Sequence, residues 1–421
     1  MTLGILTAGT RGDVQPLLSL AWALQRRGRD VLVGVPDNFV SICDRAGIPA
    51  LGLGIDAAAI MAAEVGQRAL ARGDVLAFLR MLEDANRSHA AVVDERVRTI
   101  AARCGGLLAG SLMVEHAAVV REATGVPLAT AHVFPIVPTA AWAHPLLPVS
   151  TFGLGWLNRG LGNALTRLAQ RRGRPEIDAF RASYGLGGAT HSGLEASYTG
   201  PDPVLNAFSG RVVPRPPDWG DPIKVTGWWR VPPELRAALG EDRIDGALEA
   251  WLDAGPPPVF FGFGSMPVLD PARFLGLVRD VSASLGVRAL VGAGWSALQG
   301  GDERDLFVAP SFDHSRVLPR CRAAVHHGGS HTTAASLSAG LPTHVAAVMA
   351  DQPYWGRRVT ALCVGGTSAF KAMNEDSLRR AVEALLRPEV AERATTLAAQ
   401  LAEEDGLGEA VKIVEAWFFG G

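Results

Sequence analysis

Lysine is scarce in this chain: Lys224, Lys371 and Lys412 are the only three among 40 basic residues, and the rest are arginine. With 42 acidic residues the net charge is −2, so the sequence lacks the electrostatic footprint of a nucleic-acid binder. Cysteine is also sparse. Cys43, Cys104, Cys321 and Cys363 lie far apart, with no C-x-x-C and no ligand-like spacing, which argues against a disulfide framework or a metal staple. Long apolar runs are missing too. The longest stretch free of Asp, Glu, Lys and Arg covers residues 123–158, and Pro127, Pro135, Pro138, Pro145 and Pro148 interrupt it, so it cannot form a spanning helix. No basic segment followed by an apolar one precedes the first strand-like run, and a soluble, cytoplasmic protein is expected. What is present is apolar residues at 48% and charged residues at 19%, enough burial to outweigh chain entropy. A length of 421 residues suggests two or three domains.

Short apolar runs alternate with helical patterns from the start. Strands fit residues 3–8, 31–35, 50–53 and 106–110; helices fit 16–27, 38–46 and 64–103, with a break near Gly73. Between 206 and 226 the pattern lapses and Pro214, Pro216, Pro217 and Pro222 crowd together, which reads as a linker. Alternation then resumes, with strands at 258–263, 288–291, 306–308, 323–326 and 343–346. This predicts an α/β protein: two doubly wound, Rossmann-like domains at 1–205 and 227–404, and a C-terminal helix at 405–421 packing back on the first. The widest cleft is expected between the carboxyl ends of the two sheets.

Four segments carry chemistry. Gly9-Thr10-Arg11-Gly12-Asp13-Val14-Gln15-Pro16 follows the first strand, and there Asp13 either caps a helix or faces the cleft; local sequence leaves both open. His326-His327-Gly328-Gly329-Ser330-His331-Thr332-Thr333 joins a strand to a helix, with Ser330 a candidate N-cap and Gly340 a candidate stop. The first turn of that helix is an anion site suited to a diphosphate. Asp351-Gln352 pairs a carboxylate with an amide, as hydroxyl recognition needs, although Pro353 also suits a plain helix start. Gly262-Phe263-Gly264-Ser265-Met266-Pro267 ends a strand in a turn whose Ser265 can touch phosphate. Two G-x-G-x-x-A matches, at Gly292 and Gly52, lack either the helix or the acidic residue of a dinucleotide site and are set aside.

Together with Val225-Thr226-Gly227-Trp228-Trp229 and residues 340–356, these segments resemble the nucleotide-sugar-dependent glycosyltransferases with two facing Rossmann-like domains (GT-B). The resemblance is to the branch holding sterol glucosyltransferases and bacterial antibiotic glycosyltransferases. It implies inverting, metal-independent transfer of a hexose from a UDP- or TDP-sugar, with no resident cofactor, to a hydroxyl of a lipophilic acceptor such as a polyketide, glycopeptide or sterol. It makes Asp13 the general base; the first histidine, His89, comes far later. It assigns Ser265, His326, Gly329, Ser330 and Thr332 to the diphosphate, Asp351 and Gln352 to the sugar, Phe312 to the base pocket, and Arg11 to the phosphates from the other domain.

Two positions depart from the pattern. His331 stands where the motif has Gly, a residue suited to positive φ, and Arg316 replaces an aromatic near Phe312. His331 motivates an alternative, a catalytically impaired nucleotide-sugar binding protein. The uncharged stretch supplies Phe134, Trp142 and Phe152, which are expected to wall an apolar acceptor pocket or to touch a membrane surface, the alternative being a buried core with irregular loops.

Overall fold

The computed structural model describes residues 1–64, 66, 75–188, 192–240, 244–263, 270–294, 303–310 and 312–420. The expected class is observed: two parallel sheets wrapped by helices. The first sheet holds β1 (Leu3–Leu6), β2 (Val31–Val35), β3 (Ala50–Gly52), β4 (Gly106–Gly110), β5 (Leu128–His132), β6 (Val204–Asn206) and β7 (Ile223–Val225) in the order β3-β2-β1-β4-β5-β6-β7. The second holds β8 (Val259–Gly262), β9 (Ala289–Gly292), β10 (Leu306–Ala309), β11 (Ala323–His326), β12 (Thr343–Ala347) and β13 (Gly365–Ala369), ordered β10-β9-β8-β11-β12-β13. The central strands β1, β2, β4, β5, β8 and β11 are buried along their whole length, as parallel strands covered on both faces must be.

In both sheets the chain moves outward from a central strand, then returns to build the other side. The order therefore reverses between β1 and β4 and again between β8 and β11. At such a point the neighbouring connections run in opposite directions and leave a crevice outside the strands' carboxyl ends.

Three expectations are corrected. The proline-rich segment is no linker between domains: β6 ends inside it and β7 lies within it, both in the first sheet. The prolines mark the loop joining those two strands. Arg215 staples it, donating through Nε to the Ile223 carbonyl at 3.1 Å and through Nη2 to the Trp219 carbonyl at 2.6 Å. The first compact unit accordingly comprises residues 1–62, 79–238 and 405–421, while residues 63–78 and 239–404 belong to the second. The first helix begins at Arg11, not Pro16, because Thr10 and Asp13 form a capping box; Pro16 lies within the helix and forgoes one backbone bond. Strands β5 and β13 went unread because β5 lies in the uncharged, proline-punctuated stretch and β13 (Gly-Gly-Thr-Ser-Ala) is low in β-formers.

The C-terminal helix Gly406–Val414 packs on the helix Arg11–Arg26 of the first unit. Gly406 meets the backbone of Gly227 and Trp228 so closely that an added Cβ would stand 2.5 Å from the Gly227 carbonyl carbon. Beyond it, Glu415 takes hydrogen bonds from Arg27 at 3.0 Å and Arg29 at 2.8 Å.

Candidate active site

Each crevice collects predicted residues. In the first unit, Thr7 and Ala8 after β1, Gly110 and Ser111 at the end of β4, and Ala131 and Val133 around the end of β5 line a narrow pocket with Asp13 and Leu17. Asp13 is the third residue of its helix. Its Oδ2 accepts the Thr10 backbone N–H at 3.0 Å and lies 3.4 Å from the Thr10 hydroxyl. So Asp13 both braces the helix start and borders the crevice, and the two alternatives open in the sequence coexist. Gly9, at φ +104, is required here, since a Cβ would lie 2.4 Å from that carboxylate oxygen. Arg11, the first helical residue, is exposed.

In the second unit the turn after β11 is built differently from the expectation. His326 is fully buried. Its Nδ1 accepts the Gly328 N–H at 3.0 Å, which puts the proton on Nε2, 3.1 Å from the Ser336 hydroxyl. With both nitrogens engaged inside the protein, His326 shapes the turn. The neighbour is the better candidate: His327 is nearly buried, and its Nδ1 has no hydrogen-bond partner among the described residues. Burial depresses its pKa to about 4, so the ring is neutral at pH 7. The adjacent histidines could be told apart only by which one the strand turns inward.

The left-handed position in this turn falls on Gly328, at φ +87, whose Cβ would collide with Val345 and would lie 3.2 Å from the Gln352 carbonyl oxygen. His331 sits inside the helix Ser330–Ser338, so its backbone has no need of glycine. That helix is capped by Gly329 rather than Ser330, with no side-chain cap, which puts Ser330 and Thr332 in the first turn. It stops where expected, with Gly340 at φ +74.

Gly328 thus packs against Gln352 and brings the turn beside the second pair. Gln352 is buried and its Oε1 accepts the N–H groups of Val348 (2.8 Å) and Met349 (3.1 Å), so it holds the loop after β12. Ala350 in that loop has φ +55, one of two non-glycine residues with positive φ among the described ones, and this strained residue precedes Asp351. Asp351 occupies the N-cap position of the helix Gln352–Ala361 without capping it; its Oδ2 takes the Trp355 indole N–H at 2.7 Å. Burial raises its pKa to about 6, against the lowering effect of that indole.

The other assignments divide. Phe312 is core: 4% exposed, it packs edge-on to Phe260 at 5.7 Å, with the exposed His314 over it at 4.9 Å. The ring that a base could stack on there is His314. Ser265 lies outside the described residues. Phe134 is partly buried, Trp142 packs edge-on to Trp219 at 6.0 Å, and Phe152 is 38% exposed. What organises their loop is Asn158, a buried residue missed in the sequence, which donates to the Ala140 carbonyl and accepts the Phe152 N–H.

Residues 3–142 match the model of the glycosyltransferase family 28 N-terminal domain, and residues 311–416 match the erythromycin biosynthesis protein CIII-like C-terminal domain. An uncharacterized glycosyltransferase of Mycobacterium bovis is 30% identical, over 95% of each chain. The chain belongs to the glycosyltransferases. Among related glycosyltransferases, a sterol 3-beta-glucosyltransferase of Arabidopsis thaliana is 29% identical, covering 98% of this chain and 67% of that one. The solved glycotransferase of kitacinnamycin shares the GT-B fold, with TM-score 0.73 and 18% identity over 99% and 98% of the two chains. Glycosyltransferase VinC, solved in complex with DTDP, does so with TM-score 0.66 and 17% identity over 99% and 100%.

Proposed function

We propose that this glycosyltransferase moves a hexose from a UDP- or TDP-sugar to a hydroxyl of a lipophilic acceptor, with inversion and without metal. The observation that carries the reading is the turn after β11: left-handed Gly328, an uncapped helix start at Gly329, and the buried neutral ring of His327 stand together at a switch point. Backbone N–H groups and the helix dipole there favour a diphosphate and stabilise it as leaving group, which is the work a metal would otherwise do. Asp351 would bind a sugar hydroxyl, while Gln352 and His326 support the loops from behind. In the first unit Asp13 accepts the proton of the acceptor hydroxyl as its oxygen attacks the anomeric carbon and the bond to the diphosphate breaks. The backbone at His331 is helical and needs no glycine, which supports this reading over the impaired alternative.

Calorimetric titration of UDP, TDP and NAD tests the donor assignment: micromolar binding of UDP or TDP, with none of NAD, is expected, and NAD binding alone would overturn it. Asp13→Asn keeps a cap acceptor, so the fold and nucleotide binding should persist while turnover drops by at least about 100-fold. Undiminished turnover would remove Asp13 from the chemistry.

A surface feature supports a lipophilic acceptor arriving from a membrane. Trp156 is 72% exposed, and Leu146, Phe152 and Leu154 of the same stretch are 51%, 38% and 50% exposed; of the arginines that follow, Arg159, Arg167, Arg172 and Arg174 pair with carboxylates, so the apolar side chains would make the contact. Co-flotation with anionic vesicles, weakened by Trp156→Ala, is the expected result. Equal recovery of both proteins, or no flotation of either, would leave the acceptor without that route.

A further inference from the structure

The pocket beside Asp13 contains a second polar group that proton transfer does not use. Ser111, the first residue after β4, lines it together with Asp13 and Thr7, and the rest of the lining is aliphatic side chains and glycine. The Ser111 hydroxyl lies 2.9 Å from Nδ1 of His132, the last residue of β5. His132 is fully buried, and its Nε2 has no hydrogen-bond partner among the described residues. An unpartnered buried polar atom destabilises a fold by roughly 1–3 kcal/mol, so such a residue in a native protein calls for a reason.

His132 is register-paired with Asn206 on β6, whose Nδ2 donates to the Lys224 carbonyl at 3.1 Å. That bond fixes the amide orientation, and the buried Asn206 Oδ1, an acceptor, is itself without a partner among the described residues. Asn206 Oδ1 and His132 Nε2 are not bonded to each other, and the tautomer taken here carries hydrogen on His132 Nε2. Nδ1 then accepts from the Ser111 hydroxyl, and the oxygen lone pairs of Ser111 are left for the pocket.

We propose that Ser111, held by His132, is a second hydrogen-bonding point for the acceptor, taking an O–H that neighbours the hydroxyl directed at Asp13. The substrate class this selects is a vicinal diol or catechol-type edge on an apolar skeleton: one hydroxyl donates to the carboxylate, the adjacent one to the serine. His132 is a positioning residue, because it acts on the acceptor only through Ser111. The inference rests on Asp13 being the acceptor side of the site, as proposed above.

Three fluorescent coumarins separate the possibilities: 6,7-dihydroxycoumarin, 7-hydroxycoumarin, and 6-methoxy-7-hydroxycoumarin, which keeps the second oxygen but cannot donate from it. Binding to the TDP-saturated protein is measured by fluorescence titration, so turnover is not required. The diol should bind about three- to tenfold tighter than either of the others, the range of one neutral hydrogen bond. Ser111→Ala should abolish the preference and Ser111→Thr keep it. His132→Leu should reduce it and His132→Asn, which can still accept near the Nδ1 position, restore it, all with unchanged TDP affinity. Equal binding of the three probes, binding of none, or a preference that survives Ser111→Ala would overturn the proposal. Failure of the underlying reading shows separately, as turnover that persists in Asp13→Asn.

Discussion

The residues on which the site turns are those whose surroundings push against their chemistry. Asp351 is held in a half-buried position with its pKa near 6, above the usual carboxylate value of 3.8, since burial outweighs the Trp355 hydrogen bond. Between those two values the folded state binds the proton more tightly than the unfolded chain, so this group lowers stability as pH rises through the window. Asp351→Asn should therefore match the parent's melting temperature near pH 4 and exceed it above pH 6, while donor affinity falls. A melting difference that is constant with pH would show that the carboxylate is not the cause. The positive φ of Ala350 fits the same pattern, strain retained where a loop must present a particular side chain. At this scale the sequence was legible in part: Asp13, Asp351 and the His-His-Gly-Gly turn announced themselves by type and spacing. Which of His326 and His327 faces a ligand, and whether Phe312 or His314 offers its ring, depends on side-chain direction, which spacing does not encode.

At the scale of elements, the parts that strand–helix alternation located are those with strong local patterns. The strands it missed, β5, β6, β7 and β13, are short or poor in β-formers and gain their place from pairing with an existing sheet. The C-terminal helix is another element defined by what it packs on. Because Gly406 abuts the Gly227 and Trp228 backbone, Gly406→Val would force the helix off its seat and should destabilise the first unit by about 1–3 kcal/mol, read as a lower urea midpoint. An unshifted midpoint would mean that the helix contributes nothing to that unit's stability.

Across the whole molecule, buried histidines set the response to acid. Burial depresses the pKa of His132, His144, His327 and His344 to about 4, and that of His326 well below its ordinary value. Each is neutral in the folded state and must take up a proton on unfolding below pH 6.5, so the stability they confer is complete above that pH and is lost as pH falls towards 4. Asp351 acts in the opposite sense over part of this range, but it is one group against five. Thermal melting should drop steeply between pH 6.5 and 4, and replacing His344 by Gln, which can still bond the Ser368 hydroxyl at 2.9 Å, should flatten the drop. A parent profile flat across that interval would exclude the histidines as its source.

By itself the sequence determined the fold class, the two repeats of strand and helix, and the positions where glycine-rich turns open helices, because these follow from local periodicity and backbone sterics. It could not locate the boundary between the units, since prolines mark a loop equally well within a domain or between two. Tertiary structure decided that boundary. It also decided that the His326 ring is sealed into the interior while a nitrogen of His327 is left without a hydrogen-bond partner among the described residues, and that Ser111 meets His132 beside Asp13 across strands separated in sequence. Those outcomes depend on strand order and on which face of each sheet is covered, and both arise only when distant segments pack.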